Sequence, residues 1–291
     1  MGQTYSRKIY EGAGSPVYLV IPEGYTDIGI LTFCKVREKL KSVVFPSTMT
    51  TLPEKLFKDC SKLESIDLRN CNVTVLPKYF FSGCNKLNDV TLPRCLTEIG
   101  EEAFYDCCSF QNISIPENVT KIGKRAFHHC GSLQNIKIPD SVKTIDDYAF
   151  NYCRSLQDIL IPDSVTKIGV EAFNNCDSLQ SIKLPKGLKT ISGGLFSCCN
   201  KLLSITIPDS VTVIGGKAFV HCNFQSITIP DGVTKIGVGA FGYCKCLDNV
   251  IIPKGVTKIE KETFEFCSAL QNISIPDSVT EIGSEAFRGC I

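Results

Sequence analysis

Apolar positions return along this chain on a beat of about 23 residues, and one beat, residues 161–185, reads IPDSVTKIGVEAFNNCDSLQSIKLP. Three patterns succeed one another within it. L-x-x-I-x-I, at Leu179, Ile182 and Leu184, ends in strict alternation and predicts a short strand with one buried face. The following proline has no N–H to give a ladder and fixes φ, so it ends the strand. Asp-Ser, Lys-Gly or Asp-Gly comes next and is turn chemistry. V-T-K-I, from Val165 to Ile168, alternates again and predicts a second short extended piece. G-x-x-A-F-x-x-C sets Ala172, Phe173 and Cys176 at near-helical spacing, which predicts one helical or 3₁₀ turn whose Phe plugs the core.

The Phe of A-F-x-x-C recurs at Phe33, Phe57, Phe81, Phe104, Phe127, Phe150, Phe173, Phe196, Phe219, Phe241, Phe264 and Phe287. Its step is 24 twice, 22 between Phe219 and Phe241, and 23 elsewhere. The strand-ending Pro keeps the same time and misses one beat, where Arg69 and Asn70 stand. Twelve units thus fill residues 17–291 as one domain and leave 1–16 as an N-terminal cap or tail. No unit buries its apolar face alone. Stacked neighbours share one continuous core, so the chain is expected to form a repeat solenoid.

The period and L-x-x-I-x-I resemble a leucine-rich repeat. The Pro after the strand, together with I-G-x-x-A-F-x-x-C, is similar to the BspA-like leucine-rich repeat family of bacterial surface proteins and parasitic protists. The resemblance covers roughly residues 17 to 290. It implies an arc with a parallel β-sheet on the concave face and short extended or helical turns on the convex side. It also implies a cell-surface adhesion or antigen role, with binding to host or matrix proteins. The usual Asn/Cys ladder position after the strand departs from the general pattern: Asn118, Ser141, Ser164, Gly187, Ser210, Gly232, Gly255 and Ser278 hold it, and the regular Cys sits earlier.

Apolar residues make up 43% of the 291, enough for a large core, and charged residues 21%. Lys plus Arg is 31 against Asp plus Glu at 30, a balance that argues against a nucleic-acid partner. No apolar run reaches the length of a membrane span, and the first twenty residues lack the apolar stretch of a secretory signal. Of 17 Cys, eleven keep the beat. Residues one period apart stack at about the ~4.8 Å inter-strand spacing with parallel Cβ vectors, wider than the ~3.8 Å a disulfide prefers. They read as buried free thiols acting as small hydrophobes. The clusters Cys107-Cys108, Cys198-Cys199 and Cys244-Lys245-Cys246 lack C-x-x-C pairing, and His128, His129 and His221 form no ligand pattern, so neither a metal nor a cofactor is expected. With no phosphate loop, nucleophile elbow or H-E-x-x-H, an enzyme is not expected. Acidic residues after the Pro (Glu117, Asp140, Asp163, Asp209, Asp231, Asp277) form a column read as turn caps, which Lys of V-T-K-I balances.

Two outward columns alternate with the buried strand residues. One is small and polar and includes Asn135, Asp158 and Ser181. The other varies, and Lys137, Leu160 and Lys183 make a cationic patch with an apolar centre. These six residues are the candidate partner-binding site, and the partner is a protein. Gly2 opens a Met-Gly start with Ser6 and then Arg7 and Lys8, the pattern of N-myristoylation, which anchors reversibly. The last unit stops at Cys290-Ile291 with core exposed, so either the chain is a fragment, or a second copy stacked end to end or another partner covers this end. Two functions follow. One is a protein-interaction scaffold in the cytoplasm or on the inner membrane leaflet. The other is a cell-surface adhesin, for which sequons at Asn72, Asn112, Asn118 and Asn272 would carry glycans.

Overall fold

The computed structural model describes residues 3–5 and 17–290. Each beat forms one coil of a β-solenoid of about twelve turns. Most of segment 1–16, Gly2 included, lies outside the described residues, although Gln3–Tyr5 pairs in parallel with Tyr25–Ile28.

Two columns of short parallel strands run along the solenoid. The first contains Asn112–Ser114, Asn135–Lys137, Asp158–Leu160 and Ser181–Lys183, stacked in that order. Each of these strands buries its central Ile and turns both flanking residues outward, as the alternation predicts. The second column is built from V-T-K-I. Lys121–Ile122 there lies between Glu98–Ile99 and Thr144–Ile145, in a register of one period. The strands hold only two to five residues because the Pro and the turn after it end the ladder. The first column is interrupted at residues 204–206 and 226–228, where one bridge joins Ser226 to Asn249. The interruption borders the 22-residue step, in which Phe224 fills the Leu place one residue early.

The A-F-x-x-C segment does not form the expected helical turn, and no helix forms among the described residues. A helix uses its N–H groups along its own axis. Here they alternate. Ala126, His128 and Cys130 donate three residues back, to Gly123, Arg125 and Phe127. Arg125, Phe127 and His129 donate instead to Asp147, Ala149 and Asn151 of the next coil, at 2.8–2.9 Å. That alternation requires left-handed backbone two residues before and two residues after each Phe, as at Arg125 (φ 52°) and His129 (φ 62°). Every coil from Phe57 to Phe287 repeats both positions.

Inside, the beat phenylalanines stack ring on ring from Phe33 to Phe287, with centroids 5.0 to 6.0 Å apart. The beat cysteines are free thiols with a defined task. The Cys130 thiol donates to the Phe104 carbonyl of the preceding coil at 3.1 Å, and Cys153 does the same to Phe127. The Phe127 carbonyl already accepts the Cys130 N–H of its own coil, so the thiol fills its second lone pair. Burial pushes the thiols of Cys107, Cys130, Cys176, Cys199 and Cys222 well up, so they stay protonated donors.

The ladder position also bonds between coils. Asn118 Nδ2 donates to the Arg94 carbonyl at 3.0 Å, and Ser141 and Ser164 donate to Val119 and Val142. Two expectations are corrected. Asp163 caps the next coil rather than its own turn, since its carboxylate accepts the Lys186 N–H at 2.8 Å. The V-T-K-I lysines balance carboxylates of neighbouring coils on the second column, Lys121 with Glu98 at 2.9 Å and Lys258 with Glu281 at 2.9 Å.

Candidate functional site

The six strand-face residues named from sequence come together on three adjacent coils. Asn135 pairs in register with Asp158, Asp158 with Ser181, and Leu160 with Lys183. The small polar column is knit internally: Ser181 Oγ donates to Asp158 Oδ1 at 2.6 Å, and Asn135 Nδ2 to Asn112 Oδ1 at 3.4 Å. The variable column is freer. Leu160 is 59% exposed, too apolar for that degree of contact with water to be neutral. Lys137 forms an exposed pair with Glu117 at 2.8 Å, which holds its ammonium above the usual lysine range through that hydrogen bond. Such a pair on the surface contributes ~0–1 kcal/mol and yields easily to a partner.

Further apolar residues are exposed on this face: Tyr18, Val20 and Val44 near its start, and Leu203 and Ile251 further along, Val44 and Ile251 belonging to the same varying column as Leu160. Leu203 is 67% exposed where the three preceding coils carry Gln134, Gln157 and Gln180. Ile251 is 66% exposed beside a hollow of about 790 Å³ that Asp231, Pro253, Lys254, Pro276 and Asp277 help to line. In the sequence Leu203 is the one apolar residue at its place in the beat, where Gln134, Gln157 and Gln180 stand in the coils before it.

The turn edge carries a different cluster. The His128 ring stacks on Tyr105 at 5.1 Å, meets Tyr152 edge-on at 5.8 Å, and lies 4.7 Å from His129. Arg125 and Arg154 sit over Tyr148 and Tyr152. Burial, then the neighbouring His129 and Arg125, push His128 down to about 4, so it is neutral near pH 7. Cys108 is a poor nucleophile, since burial and the adjacent Asp106 push its thiol up to about 11. Among the described residues no three His, Cys, Asp or Glu gather as a metal site. No helix of the described residues is long and apolar enough to cross a membrane.

Stacked parallel strand columns around a shared Leu, Ile and Phe core define a leucine-rich-repeat solenoid. The chain belongs to the BspA type leucine rich repeat region family, whose model matches residues 4–108, 97–223 and 212–291. No match is found among curated proteins. The fold is similar to that of a leucine rich cell surface protein from Faecalibacterium prausnitzii A2-165, with 28% identity over 99% of this chain and 81% of that one, and a TM-score of 0.66. It is also similar to a leucine-rich repeat protein from Bacteroides ovatus ATCC 8483, at 29% identity, 98% and 90% coverage, and a TM-score of 0.60. The pneumococcal vaccine antigen PcpA shares the fold at 18% identity, 94% and 79% coverage, and a TM-score of 0.50.

Proposed function

We propose that this protein is a non-enzymatic scaffold that binds a protein partner on its strand face, centred on Lys137, Leu160 and Lys183 with Asn135, Asp158 and Ser181. The observation that carries the reading is Leu160, a leucine held 59% in water between two lysines on an otherwise polar parallel sheet. An apolar centre with a polar rim is the anatomy of a protein-binding surface. The catalytic alternative lacks support, because His128 is half-buried among Tyr105, Asp106, Arg125, His129 and Tyr152, and the Cys108 thiol beside His129 is pushed up to about 11.

The cell surface is the favoured place of action, because the Faecalibacterium prausnitzii relative is described as a cell surface protein. The competing inner-leaflet reading rests on acylation of Gly2. Mass measurement of the N-terminal peptide and of the sequon peptides from native protein separates the two: an acylated Gly2 with bare sequons moves the protein inside the cell.

The binding test is charge reversal. Lys137→Glu with Lys183→Glu is expected to abolish capture of the partner from native extract while the circular dichroism spectrum is unchanged. Undiminished capture by that variant ends the strand-face reading.

A further inference from the structure

We propose that Cys34 and Cys60 are a redox pair, which a hydroperoxide closes into a disulfide that clasps the first coil to the second. The pair lies on the turn edge, where the first coil departs from all the others. From the coil of Phe57 onward each edge gives three N–H groups to the next coil, as Lys55, Phe57 and Asp59 do to Lys78, Phe80 and Ser82. The equivalent Leu31, Phe33 and Lys35 give none to the second coil. Thr32, Cys34 and Val36 instead donate three residues back, to Gly29, Leu31 and Phe33, and neither Leu31 nor Lys35 is left-handed. The Phe33 ring stacks on Phe57 at 5.0 Å, and Val17–Val20 pairs with Leu40–Val44. The first coil is therefore seated on the second while its edge stays unbonded.

Two thiols meet at this seam. Each beat Cys from Cys84 to Cys290 donates its thiol to the Phe carbonyl one coil back, as Cys84 does to Phe57 at 3.0 Å. Among the described residues Cys60 is the one beat thiol without such a bond. The carbonyl it would reach belongs to Phe33, and the next residue along the chain is Cys34. No later coil carries Cys in that place. Cys34 is exposed and Cys60 is buried, so an oxidant meets Cys34 and not its neighbour.

Arg37 joins the two. Its Nη2 lies 4.0 Å from Cys34 Sγ, and its Nε is buried without a hydrogen-bond partner. Burial pushes the Cys60 thiol up to about 12, with Arg37 opposing the rise and Asp59 and Cys34 adding to it. Cys34 therefore reacts first. Its sulfur attacks the peroxide, the O–O bond breaks, and the Cys34 proton leaves on the alcohol, so that Cys34 becomes a sulfenic acid. The Cys60 sulfur then displaces the sulfenic hydroxyl, which departs as water with the Cys60 proton. The two sulfurs supply the two electrons that reduce the peroxide. Arg37 is placed to stabilise the Cys60 sulfur as its proton leaves, and no backbone bond to the second coil holds the edge of the first coil back from closing.

The test treats the whole chain with tert-butyl hydroperoxide, blocks the remaining thiols with N-ethylmaleimide and maps the peptides by mass spectrometry. A linked Cys34–Cys60 peptide that dithiothreitol removes is expected, together with slower hydrogen exchange over residues 29–40. Arg37→Met is expected to slow the linking about tenfold, with Cys34 sulfenic acid trapped by dimedone in its place. Cys34→Ser is expected to leave Cys60 unlinked. Oxidation of Cys34 with no link to Cys60, a Cys34–Cys34 link between two copies as the main product, or equal linking among thiols of the later coils would overturn the proposal.

Discussion

The strand face and the turn edge are built from the same 23-residue beat, yet they obey different rules. On the strand face the backbone bonds run from coil to coil with ordinary extended φ, and outward side chains vary at little cost. The turn edge also bonds from coil to coil, but there alternate N–H groups turn back into their own coil. It therefore holds two left-handed residues per coil, and most are not glycine: Arg125 and His129, Tyr148 and Tyr152, Glu171 and Asn175. Each such residue costs roughly 1–2 kcal/mol. Outward strand residues thus carry no backbone strain, whereas each left-handed residue at the edge carries strain that the cross-coil bonds must offset. The functional reading accordingly rests on Leu160 and its neighbours rather than on the richer-looking cluster of His128, His129 and Tyr152.

This contrast is easily broken or sharpened. Removing the core both regions share has the largest effect: Phe150→Ala takes one ring from the stack and is expected to cost ~3–5 kcal/mol, read as faster hydrogen exchange on both faces of the adjoining coils. Gly123→Ala forces a methyl against the preceding coil and is expected to cost ~1–3 kcal/mol in urea unfolding, with the loss centred between the coils of Phe104 and Phe127.

Acid is expected to loosen the edge before the strand face. His128 is held neutral by burial and faces Tyr105, Asp106, Arg125, His129 and Tyr152. A histidine with a lowered folded pKa contributes stability that is whole above about 6.5, its unfolded value, and declines as pH falls toward about 4. Protection factors for hydrogen exchange at Arg125, Phe127 and His129, taken against the intrinsic rate at each pH, should fall over that window, and His128→Gln should flatten the response. Smaller still, Cys198→Gly relieves a left-handed residue (φ 61°) and is expected to stabilise by up to ~1 kcal/mol. Asn135→Ala, on the unstrained face, is expected to stay within ~0.5 kcal/mol. Equal responses of Cys198→Gly and Asn135→Ala would remove the distinction between the two regions.

Much of the architecture was readable from the chain. The Phe beat, the Pro stops and the alternation around Ile136, Ile159 and Ile182 gave the coils, the strand column and its outward residues. The left-handed edge was hidden because Arg125, His129 and Tyr152 carry no local signal for that backbone. It is imposed by the next coil, a contact 22 residues away. The same cause turned a spacing of Ala, Phe and Cys that reads as helical into alternating turns. The thiol's partner was hidden too, since a ladder of small hydrophobes and a ladder of donors have the same composition. Of the candidate site, the columns were legible and Leu160 stood out between two lysines. Ile251 lies in the outward column that the alternation marks, whereas Leu203 lies just after the core Leu, outside the alternating stretch, and so gives no strand signal.

The thiol-to-carbonyl bond has one more consequence. Cys130 reaches Phe104, Cys153 reaches Phe127, and Cys176 reaches Phe150, always one coil back. No bond in this ladder knows its distance from either end. The ladder therefore behaves as a screw thread: cutting out or duplicating a whole 23-residue pitch leaves each Cys with a Phe carbonyl one coil back at the junction. Solenoid length can thus change in whole coils without breaking this ladder, whereas the patch of Lys137, Leu160 and Lys183 survives only if its own three coils are kept.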